Sequence, residues 1–352
     1  NSNPNNSNSL QYYTPDHFKL MMIQAQQSLT KQPNDHFFDL RSSKDPNISA
    51  LKLAMSSDRD RLEKERRRRR GATETTLMMG NTTDLELVGD PSSLVLGEQR
   101  YRVTKSLRAQ RAEHPSGMGR SSLFLAQCKL DDESDDDLNT SKMTNNSMFG
   151  ASSIFDSQYQ LLDVEQEVYI KYLDGNIPNC WEFYVSKRIE QHGEALQQFW
   201  LYDTAYVYPT KTFLTLRLDP DQYMPMRRFL PTLSQRQSPV FRRYHQSEQL
   251  AVDLTLQLLQ GVRALHAANI LHAAINPDNV FLRWNTQSSE VCLALTNFAC
   301  AIDTTLVKAD TFIVSSDARP LGGKGVEKSY YCKEVQQGEP FNVQVDLVPT
   351  AR

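Results

Sequence analysis

His272-Ala273-Ala274-Ile275-Asn276-Pro277-Asp278-Asn279, the stretch HAAINPDN, decides the fold of this chain. It follows a long amphipathic pattern over residues 247 to about 268, in which Val252, Leu256, Leu259 and Val262 recur at i, i+4, i+7 and i+10. That spacing predicts an α-helix with one apolar stripe turned to a core and Ser247 as its N-cap. Short strands are predicted at 270–271, 280–282 and 291–295. The octapeptide is therefore a polar loop held between a helix and a strand.

Upstream the periodicity differs. Leu85, Leu87, Leu94, Leu96, Tyr101 and Val103 alternate with polar residues as half-buried strands do, and Leu123, Leu125, Val168, Ile170 and Tyr172 continue the pattern. A helix-like WEFYVSKRIEQHGEALQQF and a strand pair across FWLYDTAYVYPTKTFLTLRL follow. Antiparallel strands with one helix among them describe a small α+β lobe, and the helical pattern from Ser247 describes a second, mainly α lobe. Residues 131–157, opening DDESDDD, interrupt the strands as an acidic insert that is expected to be disordered. Ser134 lies within it, in a context that acidophilic kinases favour, and Thr14-Pro15 and Ser238-Pro239 are minimal proline-directed sites.

The domain reading is an N-terminal extension at 1–80, a small lobe at 81–218 and a large lobe at 219–352. The extension is expected to be largely disordered, with short helices around Phe18, Leu20, Met21 and around Phe37, Phe38, Leu40 that dock on something larger. Its basic run Arg66 to Arg70 reads either as a signal for nuclear import or an acidic partner, or as a solvated helix end.

With 39 Lys+Arg against 42 Asp+Glu the net charge is -3, which leaves no chain-wide positive field for nucleic acid. Five cysteines, none in a CxxC pair, indicate neither a disulfide framework nor a zinc site. No stretch approaches the roughly 18 apolar residues of a membrane span. An intracellular, soluble protein is expected.

Four motifs in order resemble those of protein kinases. VYIK at 168–171 looks like the strand whose lysine, here Lys171, neutralises the ATP phosphates; Glu182, eleven residues on, stands where the family pairs a glutamate with it. HAAINPDN has the spacing of HRDLKPEN, with His272, Pro277 and Asn279 in register. NFA at 297–299 stands where the family has DFG, and Glu334 where it has APE. GMGRSS, with Gly117 and Gly119, resembles part of the phosphate-covering glycine loop, with Ser122 in the third glycine's place. The resemblance implies a bilobal α+β kinase-like fold whose large lobe is incomplete within these 352 residues, so that the parent protein continues past Arg352.

Set against that family, the chemistry is missing. Ala274 stands where the catalytic aspartate accepts the substrate's hydroxyl proton, and a methyl group accepts none. Asn276 replaces the phosphate-binding lysine, Ala273 the loop arginine, Ala299 the hinge glycine, and Asn297 the aspartate that holds magnesium. A positioned general base alone is worth about 10²- to 10⁴-fold. Losing base, lysine and metal carboxylate together implies little or no phosphotransfer. Lys171 and Glu182 then read as a structural ion pair, His272 as a core histidine, and Asn279 as a loop hydrogen-bonder rather than a metal ligand. Cofactors are expected to be none, or ATP and magnesium bound weakly. The competing reading is an unorthodox active Ser/Thr kinase that phosphorylates kinetochore proteins, with Asp278 as base.

Asn179-Cys180-Trp181-Glu182-Phe183-Tyr184 resembles the PWEFY signature of the Bub family of spindle-checkpoint kinases, and GEPFNVQVDL, with Asp346, resembles that family's run into its next large helix. Ala274 and Asn297 place the chain nearer the Mad3-related branch, whose kinase domain is degenerate. The resemblance implies a pseudokinase that docks checkpoint and kinetochore proteins, binds neither nucleic acid nor membrane, and is found in nucleus and cytoplasm and at kinetochores in mitosis. That family's tetratricopeptide-like repeats and KEN boxes are not in this sequence, so it is expected to be the C-terminal part of a longer protein.

Overall fold

The computed structural model describes residues 11–13, 15–31, 35–69, 93–107, 120–129, 165–175, 179–193, 196–217, 223–227, 229, 247–285, 290–307, 312–314, 330, 332–337 and 339–350. Leu85, Leu87, Gly117, Gly119, Thr14, Ser238 and the insert 131–157 lie outside the described residues.

In chain order the elements are β1 (Gln11–Tyr13), α1 (Pro15–Lys31), β2 (Phe37–Asp39), α2 (Ser49–Arg69), β3 (Ser93–Leu96), β4 (Gln99–Leu107), β5 (Arg120–Lys129) and β6 (Glu165–Asp174). Then come α3 (Trp181–His192), β7 (Thr204–Val207), β8 (Lys211–Arg217), β9 (Tyr223–Pro225), α4 (Ser247–Ala267), β10 (Ile270–Leu271), β11 (Val280–Asn285) and β12 (Glu290–Leu295). β13 (Ile302–Asp303), α5 (Thr304–Val307), β14 (Phe312–Val314), α6 (Lys333–Gln337) and α7 (Gln344–Thr350) complete the order. The result is a mixed α+β, kinase-like bilobal fold.

The small lobe is one seven-stranded sheet in the order β2-β7-β8-β6-β5-β4-β3. It curls far enough for the hydroxyls of Tyr101 on β4 and Tyr206 on β7 to meet at 3.0 Å. β6 is central, with Lys171 opposite Leu123 on one side and Leu214 on the other. Because side chains alternate along a strand, Val168, Ile170 and Tyr172 enter one core and Tyr169, Lys171 and Leu173 face the other. Both faces are covered. Ala50 and Leu51 of α2 close the first, and α3, with α1 packed on it, closes the second.

The N-terminal segment departs from the expectation of short docking helices. α1 and α2 run for 17 and 21 residues. The Phe37-Phe38 cluster is not helical: it forms β2, which pairs in parallel with β7 at the sheet edge. β-branched and aromatic residues fit a pleated surface, and the unpaired edge of β7 supplies the backbone partners, with Leu40 N–H donating to Val207 O at 2.8 Å. Asp45 then caps the β7–β8 turn, accepting from Thr210 Oγ at 2.5 Å and Lys211 Nζ at 2.6 Å.

In the large lobe α4 packs over the β12-β11-β9 sheet. Here the predicted stripe is corrected. Val252, Leu256 and Leu259 are exposed, at 52%, 53% and 40%, whereas Leu250, Leu254, Val262 and Leu265 are buried. The helix carries apolar residues on both sides, and the set that faces β12, α3 and α7 is the one that turns inward. α3 ends where Gly193 takes a left-handed φ of 66°, donating its N–H to Glu190 O.

Candidate functional site

The site forms where β6, α3, the 272–279 loop and the turn after β12 converge. Lys171, 7% exposed, meets Glu182 Oε1 at 2.5 Å; the strand's alternation aims it at α3, whose first turn carries the glutamate. Lys171 Nζ also donates to Asn297 Oδ1 at 3.0 Å. Asn297 Nδ2 in turn donates to Asn279 Oδ1 at 2.9 Å, and Asn279 Nδ2 to the carbonyl of Ala274 at 2.8 Å. The residues that would hold phosphate and metal in a kinase thus form one continuous hydrogen-bonded chain ending on backbone. Asn297 stands at φ 63°, a left-handed conformation that asparagine tolerates better than most side chains.

The loop is held from below by Asp346, fully buried on α7. Its carboxylate accepts the N–H of His272 at 2.8 Å and of Ala273 at 2.7 Å, and faces His266 Nε2 at 3.1 Å. Ala273 pays for this with a left-handed φ of 58°, a strain of order 1 kcal/mol or more for a residue with a Cβ. His272 donates from Nε2 to Thr296 O at 3.1 Å. Burial pushes its pKa down, against the nearby Asp346 carboxylate, which raises it. His272 Nδ1 has no partner among the described residues.

Ala274 is buried at 5% exposure, and its methyl occupies the position that the resemblance assigns to the base. Asn276, also buried, donates from Nδ2 to Ala274 O and accepts the Asp278 N–H, so both ends of its amide are spent within the loop. Asp278 is committed too: its Oδ1 accepts from Arg227 Nε at 2.8 Å. Among the described residues no group of three or more His, Cys, Asp or Glu is placed to hold a metal ion. No described helix is long and apolar enough to cross a membrane.

The structure thus brings Lys171, Glu182, Asn279 and Asn297 together, with Ala274 and Asn276 alongside. Sequence reasoning missed Asp303, fully buried, which accepts the Tyr184 hydroxyl at 2.9 Å, and Arg227, the partner of Asp278. The helix around Phe18 was expected to dock, but its partner was not foreseen: it covers α3, where Phe18 meets the Trp181 ring edge-on at 5.5 Å. None carries a local signature, since each acts through a contact far away along the chain.

Two lobes, a lysine–glutamate pair reaching from sheet to helix and a loop hung on a buried aspartate define the protein-kinase fold. No protein-family profile matches the chain, and no curated protein sequence matches it. Among 901 matching chains of solved structures is the BubR1 kinase domain, similar at a TM-score of 0.52 and 15% identity over 96% of this chain and 73% of that one. That likeness is one of fold.

Proposed function

We propose that this is a pseudokinase-type domain of a mitotic spindle-checkpoint protein of the Bub family, nearer its Mad3-related branch, which docks checkpoint and kinetochore proteins and stabilises its parent protein. The observation that carries the reading is the chain from Lys171 through Asn297 and Asn279 to the Ala274 carbonyl. Lys171, already neutralised by Glu182, donates to the neutral amide of Asn297, which stands where the resemblance places the magnesium-holding carboxylate. The WEFY sequence around Glu182 and the fold shared with the BubR1 kinase domain support the family assignment. Nucleotide then binds weakly or not at all, and the protein's place is nucleus and cytoplasm, with kinetochores in mitosis.

Thermal melting with and without MgATP tests the site. The expected result is no shift at millimolar MgATP; a stabilisation of about 2 kcal/mol or more overturns the reading. Lys171→Ala is expected to lower stability by about 3 to 5 kcal/mol, because it strands the Glu182 carboxylate, and to change no phosphorylation signal. A variant that melts like the parent but loses phosphotransfer identifies an active kinase instead. The docking half rests on localisation: tagged protein should concentrate at kinetochores of cells arrested without spindles, and a diffuse signal removes the checkpoint assignment.

A further inference from the structure

The Asp303 carboxylate is completely buried, six residues past Asn297 and just before α5. Oδ1 accepts the N–H of Thr305 at 2.9 Å and its hydroxyl at 2.5 Å. Oδ2 accepts the hydroxyl of Tyr184 at 2.9 Å and faces Arg188 Nε at 3.5 Å. Tyr184 and Arg188 stand one turn apart on α3, and Tyr184 is two residues beyond Glu182. Burial first, then the Asp303 charge, hold the Tyr184 phenol above its ordinary pKa, so it stays a donor. The backbone of Asp303 is fixed as well, because β13 pairs with β10 in register Ile270 to Asp303. β10 leads directly into the 272–279 loop, so one buried anion ties the helix that carries Glu182 to the floor of the site.

We propose that Asp303 is a built-in lock, needing no nucleotide, that holds α3 where Glu182 meets Lys171. The Lys171–Glu182 pair is then set by a contact on the far side of α3 from the site itself. Tyr184 and Asp303 are positioning residues, since neither touches Lys171, Asn297 or Asn279 in the hydrogen-bond network. The inference concerns how α3 is held and stands whether or not the site transfers phosphate.

Tyr184→Phe tests it gently, since the ring and its stacking on Trp181, at 5.5 Å between centroids, are kept while the hydroxyl is lost. Asp303→Asn keeps the shape and removes the charge. Two readouts on the full chain are used: amide hydrogen exchange of the α3 peptide, and the rate at which an acylating reagent modifies Lys171. Both variants should raise α3 exchange and Lys171 acylation on the order of tenfold or more, the effect of losing a charged hydrogen bond, and leave exchange in the β11–β12 hairpin unchanged. The double variant should match the more severe single one, because Tyr184→Phe removes the bond and Asp303→Asn removes the charge that strengthens that same bond, and MgATP should not reverse the effect. Unchanged α3 exchange, or a rise equal to that of the hairpin, overturns the lock and leaves Asp303 as a general stabiliser. If Asp303→Asn does not fold, Tyr184→Phe alone decides by the same comparison.

Discussion

Asn297 accepts from Lys171 through one atom and donates to Asn279 through the other, and an aspartate could do only the first. Asn297→Asp sets a carboxylate oxygen against the carbonyl of Asn279, two acceptors with no proton between them. In chelator the variant is expected to lose about 1 to 3 kcal/mol. A divalent cation bridging the two oxygens should restore part of this, so the expected signature is a melting point that rises with millimolar magnesium in the variant and not in the parent. His272 gives a pH dependence whose sign follows from its burial. Its folded pKa lies below the ordinary 6.5, so the unfolded chain binds more protons in acid. Its contribution is complete above about pH 6.5 and is lost as pH falls toward the folded value. Urea titrations of His272→Gln should therefore show a shallower loss of stability from about pH 7 to pH 5 than the parent; an equal slope would place the acid sensitivity elsewhere.

At the scale of elements, α1 is the cover that α3 needs. Phe18, 1% exposed, is pressed edge-on against Trp181, and Met21 and Met22 are buried beside it. Phe18→Ala should cost about 3 to 5 kcal/mol, the range for truncating a buried aromatic, as read from denaturant midpoints at unchanged m-value. The Lys171 strand, the Glu182 helix and the HAAINPDN loop were legible in the sequence through their periodicity and through the resemblance of their short motifs, in order, to those of protein kinases. Their placement relative to one another follows from that order. What was not legible depends on remote partners: Phe37 and Phe38 look like a helix fragment until β7 offers an edge, and Asp303 is an ordinary aspartate until Tyr184 arrives from 119 residues away. The rotation of α4 failed for a different reason, since 3.6-residue periodicity identifies a stripe but a helix with two stripes leaves the choice to its neighbours. Leu256→Lys, on the exposed stripe, should change stability by no more than about 0.5 kcal/mol, whereas Leu254→Ala, on the buried one, should cost about 2 to 5. Equal losses in melting experiments would mean that the outward stripe is covered.

Across the whole molecule the main asymmetry is one of distance along the chain: β2 at residue 37 extends the sheet against Ala205, and Phe37 also stacks on Phe183 at 5.9 Å. Strands β3 to β8 connect mostly to near neighbours in sequence, but the β2–β7 pairing must close a loop spanning most of the small lobe. Loop-closure entropy grows only slowly with length, so the pairing is affordable at equilibrium, yet it can reward the chain only after the rest of the sheet exists. The N-terminal segment is thus expected to join last in folding and to leave first in unfolding. Damage to it, such as Phe37→Ala, should then shorten the lifetime of the native state by speeding escape and leave the rate of its formation almost untouched, which stopped-flow unfolding and refolding rates check.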